Sequence, residues 1–408
     1  MATDQRRSEA ATGVMENLAY GSETATGSAP IIVYLVTEDW YFDIHRLPLA
    51  RAALAAGYRV ILVTRARAHR GGLEGEGIKV IDIGWDRRSF KVHHVLYDIA
   101  KIERLYKSLK PDIVHHVAIK PSVLGSIAAL ISGTTPVINN LAGLGGAFTS
   151  RGLRSGITRV ILRSAFRFLF NRPGTRTIVE NSDDREFLVR EVGVKASSVV
   201  LIKGVGVDTS RFSVRPEPTG TPVVSMVSRM LWPKGIAELV EAARILKGRQ
   251  LPVRVQLIGE PDPDNRDSVP VACLKEWNSQ GIVSWLGYRD NIPHIWANSN
   301  VAVLPSFYRE GVPRSLMEAA ACGRALIATD MPGCREIVQH GKNGLLVPPR
   351  DAEALAKAIE QLVNDPDTRR RMGLNGRQLV EQDFAETHVI AETLALYRDL
   401  LAPRRAMA

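Results

Sequence analysis

Two carboxylates at a fixed spacing are the first residues in this chain that could do chemistry. Glu310 and Glu318 close the stretch Glu310-Gly-Val-Pro-Arg-Ser-Leu-Met-Glu318, with seven residues between them. The apolar run Val301 to Leu304 just before it reads as a short buried strand. Pro313 is expected at the first helical position, where its missing N–H costs nothing. Gly323, after Ala-Ala-Ala-Cys, supplies the stop. One carboxylate then lies above a helix N-terminus and the other just inside it. That terminus carries N–H groups with no intrahelical partner, which favour anions such as phosphate.

A second pair of charges belongs to the same chemistry. The run Val223 to Val227 ends in Ser228-Arg229, and Lys234 and Gly235 follow before a long helical pattern. Arg229 and Lys234 are spaced to reach one diphosphate from a loop and a helix start. When a nucleoside diphosphate departs, negative charge grows on its β-phosphate, and two fixed cations with a helix N-terminus stabilise it without a metal. Carboxylates beside such a site suit a ligand that carries hydroxyls as well as phosphates, as a nucleotide sugar does. A lone acidic pair or a basic loop is commonplace on a solvated surface; the sequence context joins them into one site.

That context is LPSFYREGVPRSLMEAAACGRALIATDMPGCREIV together with Arg229-x4-Lys234. It resembles the retaining glycosyltransferases of the two-domain GT-B type, family 4 (group 1). The resemblance extends from about residue 30 to 400, with its specific motifs between Arg229 and Pro349. It implies that Glu318 accepts hydrogen bonds from ribose hydroxyls and Glu310 contacts the sugar. The backbone of Gly311, Val312, Pro313, Arg314 and Ser315 would approach sugar and phosphates. The base would lie near Gly259 and the turn containing Arg289, held largely by backbone. A UDP-sugar is the expected donor, although these residues leave the base open. Family members often carry a histidine near the strand end that reads Ile113-Val-His115-His116, so one of that pair is expected to face the donor or acceptor. Successive strand residues face opposite sides, which allows only one of them to do so. Lys120 would add positive charge. Gly143-Leu-Gly145-Gly146 matches a glycine turn of bacterial members that build lipid-linked glycans. The stretch Glu38 to Arg46 reads as a bulky loop where many relatives have glycines, which assigns Trp40, Tyr41 and His45 to the acceptor side.

The elements that must position these groups alternate regularly. Ile31–Val36, Val60–Val63, Val80–Ile83, Ile113–His116 and Val137–Asn139 read as buried strands, with helical patterns at Leu47–Ala56 and Val95–Leu109. Ser213 to Pro222 is a Pro/Gly/Thr-rich break. Strands then resume at Val223–Val227, Val253–Ile258, Ile282–Trp285, Val301–Leu304, Ala325–Ala328 and Leu345–Val347. Such alternation predicts parallel sheets covered by helices, with ligands beyond the carboxyl ends of the strands. The expected fold class is α/β with two Rossmann-like doubly wound domains, which the resemblance arranges as a GT-B pair facing a cleft. The expected divisions are a flexible tail at 1–29, an acceptor-side domain at 30–215 and a nucleotide-sugar domain at 216–380. The resemblance implies that a helical segment at 381–408 returns to the first domain.

Bulk properties narrow the class further. The chain has 408 residues, is 45% hydrophobic and 24% charged, and carries a net charge of +10. That is an ordinary globular composition with a preference for an acidic partner. Three scattered cysteines exclude a disulfide framework and point to a reducing compartment. Residues 1–29 lack the apolar core of a signal peptide, and no apolar run is long enough to span a membrane. A cytoplasmic location is therefore expected. Arg159, Arg163 and Arg167 recur at helical spacing in LRSGITRVILRSAFRFLF, predicting peripheral contact with the anionic inner face of the membrane. Asp262-Pro-Asp264 imitates a metal-binding pair but sits in a polar turn, so neither a metal nor another cofactor is expected. Nucleic-acid binding lacks a basic patch interleaved with aromatics. The expected activity moves a sugar from a nucleotide diphosphate to a polyprenyl-diphosphate-linked or glycan acceptor in surface polysaccharide synthesis. The rivals are an epimerase on the same frame and a non-catalytic membrane scaffold with a relic pocket.

Overall fold

The computed structural model describes residues 29–85, 91–145 and 153–405. The expected tail, but for its last residue, and Gly146 of the glycine turn lie outside that set. Thirteen strands are named here in chain order. They are β1 (Ile31–Glu38), β2 (Arg59–Arg65), β3 (Lys79–Asp82), β4 (Ile113–Val117), β5 (Val137–Leu141), β6 (Thr175–Val179) and β7 (Val199–Leu201). The later six are β8 (Val223–Val227), β9 (Arg254–Ile258), β10 (Ser284–Gly287), β11 (Val301–Leu304), β12 (Ala325–Thr329) and β13 (Gly344–Val347).

The first sheet has the order β3-β2-β1-β4-β5-β6-β7 and the second β10-β9-β8-β11-β12-β13. Pairing is parallel on both sides of β1, where Ile32 faces Val60 and Ile113, and on both sides of β11, where Val301 faces Val224 and Ala325. Parallel strands need crossovers, and helices supply them, which explains the unbroken Val/Ile/Leu runs read as doubly buried strands. Both sheets reverse their order beside a first strand, at β1/β4 and at β8/β11. Ligands of doubly wound sheets bind at such a switch point, so the loops after β8 and β11 are placed by topology alone.

The chain divides into two compact units, one ending at Ile138 and resuming at Leu394, the other running from Asn139 to Thr393. In the first, Val33, Leu35, Ile61, Val63, Ile102, Tyr106 and Val114 form a core under the helix Val92–Leu109. In the second, Leu239, Leu257, Val303, Leu316, Ile327 and Ile359 belong to one continuous core.

Two local expectations are corrected. Glu38 to Arg46 is no loop: β1 runs straight into the helix Asp39–Ala55. Buried Asp39 makes this possible by accepting the N–H groups of Trp40, Arg67 and His69. Pro313 is the residue before the helix Arg314–Ala321, extended at φ −65° and ψ 117°, one position earlier than its composition suggested.

Candidate functional site

Loops leaving the carboxyl ends of β8 and β11 carry the charged groups. Lys234 ends a short 3-10 turn, Trp232–Lys234, and its ammonium donates to Glu310 Oε2. It also lies 5.4 Å over the Tyr308 ring. Burial pulls the Lys234 pKa down, but the adjoining Glu310 and Tyr308 outweigh it and hold the amine firmly protonated. Tyr308 is itself pushed up, first by burial and then by Glu310. The other oxygen of Glu310, Oε1, is buried with no hydrogen-bond partner. A buried carboxylate oxygen left without a donor is costly, and hydroxyl groups of a ligand would satisfy it.

Glu318 lies five residues into its helix and is almost wholly buried. Arg314 Nε donates to its Oε1 at 2.8 Å. Burial raises the Glu318 pKa, and Arg314 only partly offsets this. Arg229 holds Asp262 at 2.8 Å. Asp262 is further occupied within its own turn, where the N–H of Asp264 bonds its Oδ1, so the Asp-Pro-Asp stretch is a folded turn with a counter-charge for Arg229. Gly259 donates its N–H to Gly287 at 2.8 Å, fixing the two turns expected near a base. Arg289 is exposed and donates to the carbonyl of its neighbour Tyr288.

Gly143 and Gly145 belong to the same constellation, which their sequence position did not reveal. A Cβ on Gly143 would collide with the Gly311 nitrogen, and one on Gly333 would collide with the Gly311 carbonyl. Three backbones therefore pack where only glycine fits. Gly145 N–H donates to the Arg309 carbonyl at 2.9 Å. Sequence reasoning also missed Asn181, Asp184 and Arg309. Asn181 Nδ2 donates to the Glu310 carbonyl at 3.1 Å, and Arg309 pairs with buried Asp184 at 2.9 Å. The only available signal was the Asn-Ser-Asp-Asp pattern of a helix start.

In the first unit the remaining candidates sit differently. His115 and His116 project from opposite faces of β4, as alternation requires, but neither ring is exposed. His115 Nδ1 is 2.6 Å from the Tyr397 hydroxyl, and its ring stacks on Tyr34. His116 Nε2 is 3.0 Å from the Tyr106 hydroxyl. Burial lowers the His115 pKa far below 6.5, so this imidazole is neutral. Each ring thus meets a core tyrosine through one nitrogen, and His115 Nε2 is buried without a hydrogen-bond partner. Lys120 lies 3.7 Å from Asp98 and 5.5 Å from the Trp85 ring centre. Trp40, Tyr41 and His45 are half-buried on one helix, with the Tyr41 and His45 rings 4.4 Å apart.

The arginine stripe is also rearranged. Arg163 pairs with Glu191 at 2.8 Å and lies over the Phe187 ring. Arg167 is exposed, while Arg159 is half-buried. Among the described side chains of the helix Leu153–Phe170, the apolar Val160, Ile161 and Phe168 are 64%, 62% and 60% exposed, beside exposed Ser164 and Arg167.

Residues 208–379 match the family model for glycosyl transferases group 1, and residues 31–180 match that for glycosyl transferase 4-like domains. The chain is a glycosyltransferase with a group 1 domain and a 4-like domain. This transferase is 28% identical over 365 residues to the N,N'-diacetylbacillosaminyl-diphospho-undecaprenol alpha-1,3-N-acetylgalactosaminyltransferase of Campylobacter jejuni, covering 86% of this chain and 94% of that one. It is 27% identical over 326 residues to the UDP-Gal:alpha-D-GlcNAc-diphosphoundecaprenol alpha-1,3-galactosyltransferase of Escherichia coli, covering 75% and 81%. Among solved structures it resembles Anabaena HepE in complex with UDP and glucose, with a TM-score of 0.72 at 20% identity over 89% of this chain and 99% of that one. That likeness shows the fold, a GT-B pair of Rossmann-like domains: the strand rhythm led to two doubly wound domains and the family resemblance to GT-B. The epimerase and scaffold readings give way to a glycosyltransferase.

Proposed function

We propose that this transferase moves a sugar, with retention at the anomeric carbon, from a UDP-sugar to a polyprenyl-diphosphate-linked acceptor. The observation that carries the reading is the union, within one unit, of Lys234, Glu310 and its unpartnered buried oxygen, Arg229 and Glu318. In this reading Glu318 receives the ribose hydroxyls and Glu310 Oε1 a sugar hydroxyl. Arg229, Lys234 and the first turn of the helix Arg314–Ala321 take the diphosphate. The bond between the anomeric carbon and the β-phosphate oxygen breaks, and the acceptor oxygen bonds that carbon. The acceptor's proton passes to the departing phosphate oxygen on the same face, so no separate base is required. The fixed cations bear the developing charge, and no metal enters the scheme.

The relatives support the substrates. The E. coli enzyme's name gives UDP-Gal as donor and an alpha linkage as product, and both relatives' names give an undecaprenyl-diphosphate-linked acceptor. No helix among the described residues is long and apolar enough to cross a membrane. We place the enzyme on the inner membrane surface as a peripheral protein, contacting anionic lipid beside the helix Leu153–Phe170.

The test is thermal stabilisation by UDP, GDP, ADP and their sugars, without added metal, on wild type and Glu318→Ala. Two charge-assisted hydrogen bonds, each about 1.5–3 kcal/mol, would be lost in the variant. UDP affinity should therefore fall about 100- to 10,000-fold. A wild-type response to UDP in Glu318→Ala would remove Glu318 from the pocket. A response to GDP or ADP instead of UDP would overturn the choice of donor.

A further inference from the structure

The loop that carries Glu310 is fastened by a buried polar junction with no place in the scheme above. Asp184 is fully buried, and three parts of the chain meet on its carboxylate. Arg309 approaches it with Nε at 3.2 Å and its second nitrogen at 2.9 Å from the same oxygen. Asn181 Nδ2 donates to the other oxygen at 3.0 Å, and the backbone N–H of Leu144 adds a further bond. The same Nδ2 reaches the Glu310 carbonyl, while Gly145 N–H reaches the Arg309 carbonyl. Loops after β5, β6 and β11 are thus tied together around the two residues 309 and 310.

Asn181 earns its position twice. Its Oδ1 accepts the N–H of Asp184 at 2.7 Å, capping the short helix Ser182–Glu186, which fixes the amide with Nδ2 aimed at Glu310. The guanidinium of Arg309 lies 5.0 Å over the Phe187 ring and also donates to the Asp183 carbonyl, so its plane is set by three partners. Burial raises the Asp184 pKa, and Arg309 counters that; the carboxylate is kept in place by its donors. On the surface beside it, Ser182 bonds Glu336 and Asp183 pairs with Arg335 at 3.0 Å. A loop with glycine at 311 has little stiffness of its own. What aims the Glu310 carboxylate is therefore outside its own loop.

We infer that Arg309, Asp184 and Asn181 are positioning residues for the transfer step, holding Glu310 at the geometry its contact with the donor sugar requires. This rests on the reading of Glu310 given above. None of the three touches the groups assigned to ribose or diphosphate. Their loss should therefore lower turnover and leave nucleotide binding alone, a separation that general loosening of the fold would not produce. Displacement of a catalytic contact by about 1 Å is enough to cost about 100-fold in rate.

The experiment measures kcat, donor KM and, by calorimetry, the affinity for UDP in Asp184→Asn, Arg309→Gln and Arg309→Lys, with Glu310→Gln alongside. Asp184→Asn keeps shape and removes charge; Arg309→Lys keeps charge and removes the fork, so it should recover only part of the loss. The expected result is a fall in kcat of about tenfold or more for Asp184→Asn and Arg309→Gln, with UDP affinity within about twofold of wild type. Turnover within twofold of wild type in both variants would overturn the proposal, as would a loss of UDP affinity equal to the loss of kcat. Glu310→Gln separates the two readings. Wild-type turnover there would sink the role of Glu310 itself, whereas a severe loss there with healthy Asp184 and Arg309 variants would sink only the positioning network.

Discussion

At the scale of single residues, the two glutamates of the motif are set in opposite electrostatic surroundings. Glu310 has a protonated lysine on one oxygen and nothing on the other, while Glu318 is buried with its pKa raised above the ordinary 4.5. A raised folded pKa means that folded Glu318 holds its proton to higher pH than it does in the unfolded chain. Ionising it therefore costs stability as the pH climbs from 4.5 through the folded value. Nucleotide binding has the opposite sign, because the proposed ribose contact needs the ionised carboxylate as acceptor. UDP affinity should thus improve as pH rises through the Glu318 pKa and then level off. In Glu318→Gln that step should vanish, leaving only the titration of the diphosphate, which both proteins share. Calorimetric titrations from pH 4.5 upward, the ordinary value from which the Glu318 pKa is raised, would show it. Superimposable pH profiles for the two proteins would mean that Glu318 does not meet the nucleotide as a carboxylate.

At the scale of elements, the legible and the illegible parts of the sequence divide by the range of the physics involved. Strand existence was plain because doubly buried parallel strands are continuous apolar runs, and every second-sheet strand expected from such a run is present. Glu310, Glu318, Arg229 and Lys234 were legible because glycines, proline and strand ends stand beside them in the chain. The meeting of Gly143 with Gly311 and Gly333 was not, since it joins segments more than 150 residues apart through contacts that leave no local pattern. Helix faces were less legible for a related reason. Periodicity locates a stripe but cannot say which neighbour claims it, and Glu191 and Phe187 claim Arg163. Among its described side chains, the exposed ones of the helix Leu153–Phe170 are Val160, Ile161, Ser164, Arg167 and Phe168. An apolar strip edged by arginine is what a helix lying in the lipid interface needs. Replacing Val160, Ile161 and Phe168 together by serine should weaken binding to anionic phosphatidylglycerol vesicles about tenfold or more. Arg163→Ala should weaken it much less, because that charge is already paired. Sedimentation with vesicles measures both, and undiminished binding by the triple variant would remove this helix from the proposed contact.

At the scale of the whole chain, the first compact unit is completed by residues from the far end of the sequence. The chain leaves it at Ile138 and resumes it at Leu394, within the last helix, Glu386–Arg405. Tyr397, on that helix, is buried, with its hydroxyl 2.8 Å from that of Tyr34 and 2.6 Å from His115 Nδ1, and its ring against Tyr58. All three oxygen and nitrogen atoms are out of water, so they depend on one another. Removing the central hydroxyl leaves two buried polar groups without their partner, at a cost of about 1–3 kcal/mol. Tyr397→Phe should therefore destabilise the first unit by that amount and lower its urea midpoint accordingly. The proposed nucleotide groups all lie between Arg229 and Glu318, in the other unit, so the same variant should bind UDP as wild type does. The combination separates a fastening role from a chemical one. An unchanged midpoint would show that the apolar contacts of the last helix suffice without its hydroxyl. A loss of UDP affinity without loss of stability would instead make the tyrosine and histidine chain part of the chemistry, returning His115 to the role its place at a strand end first suggested.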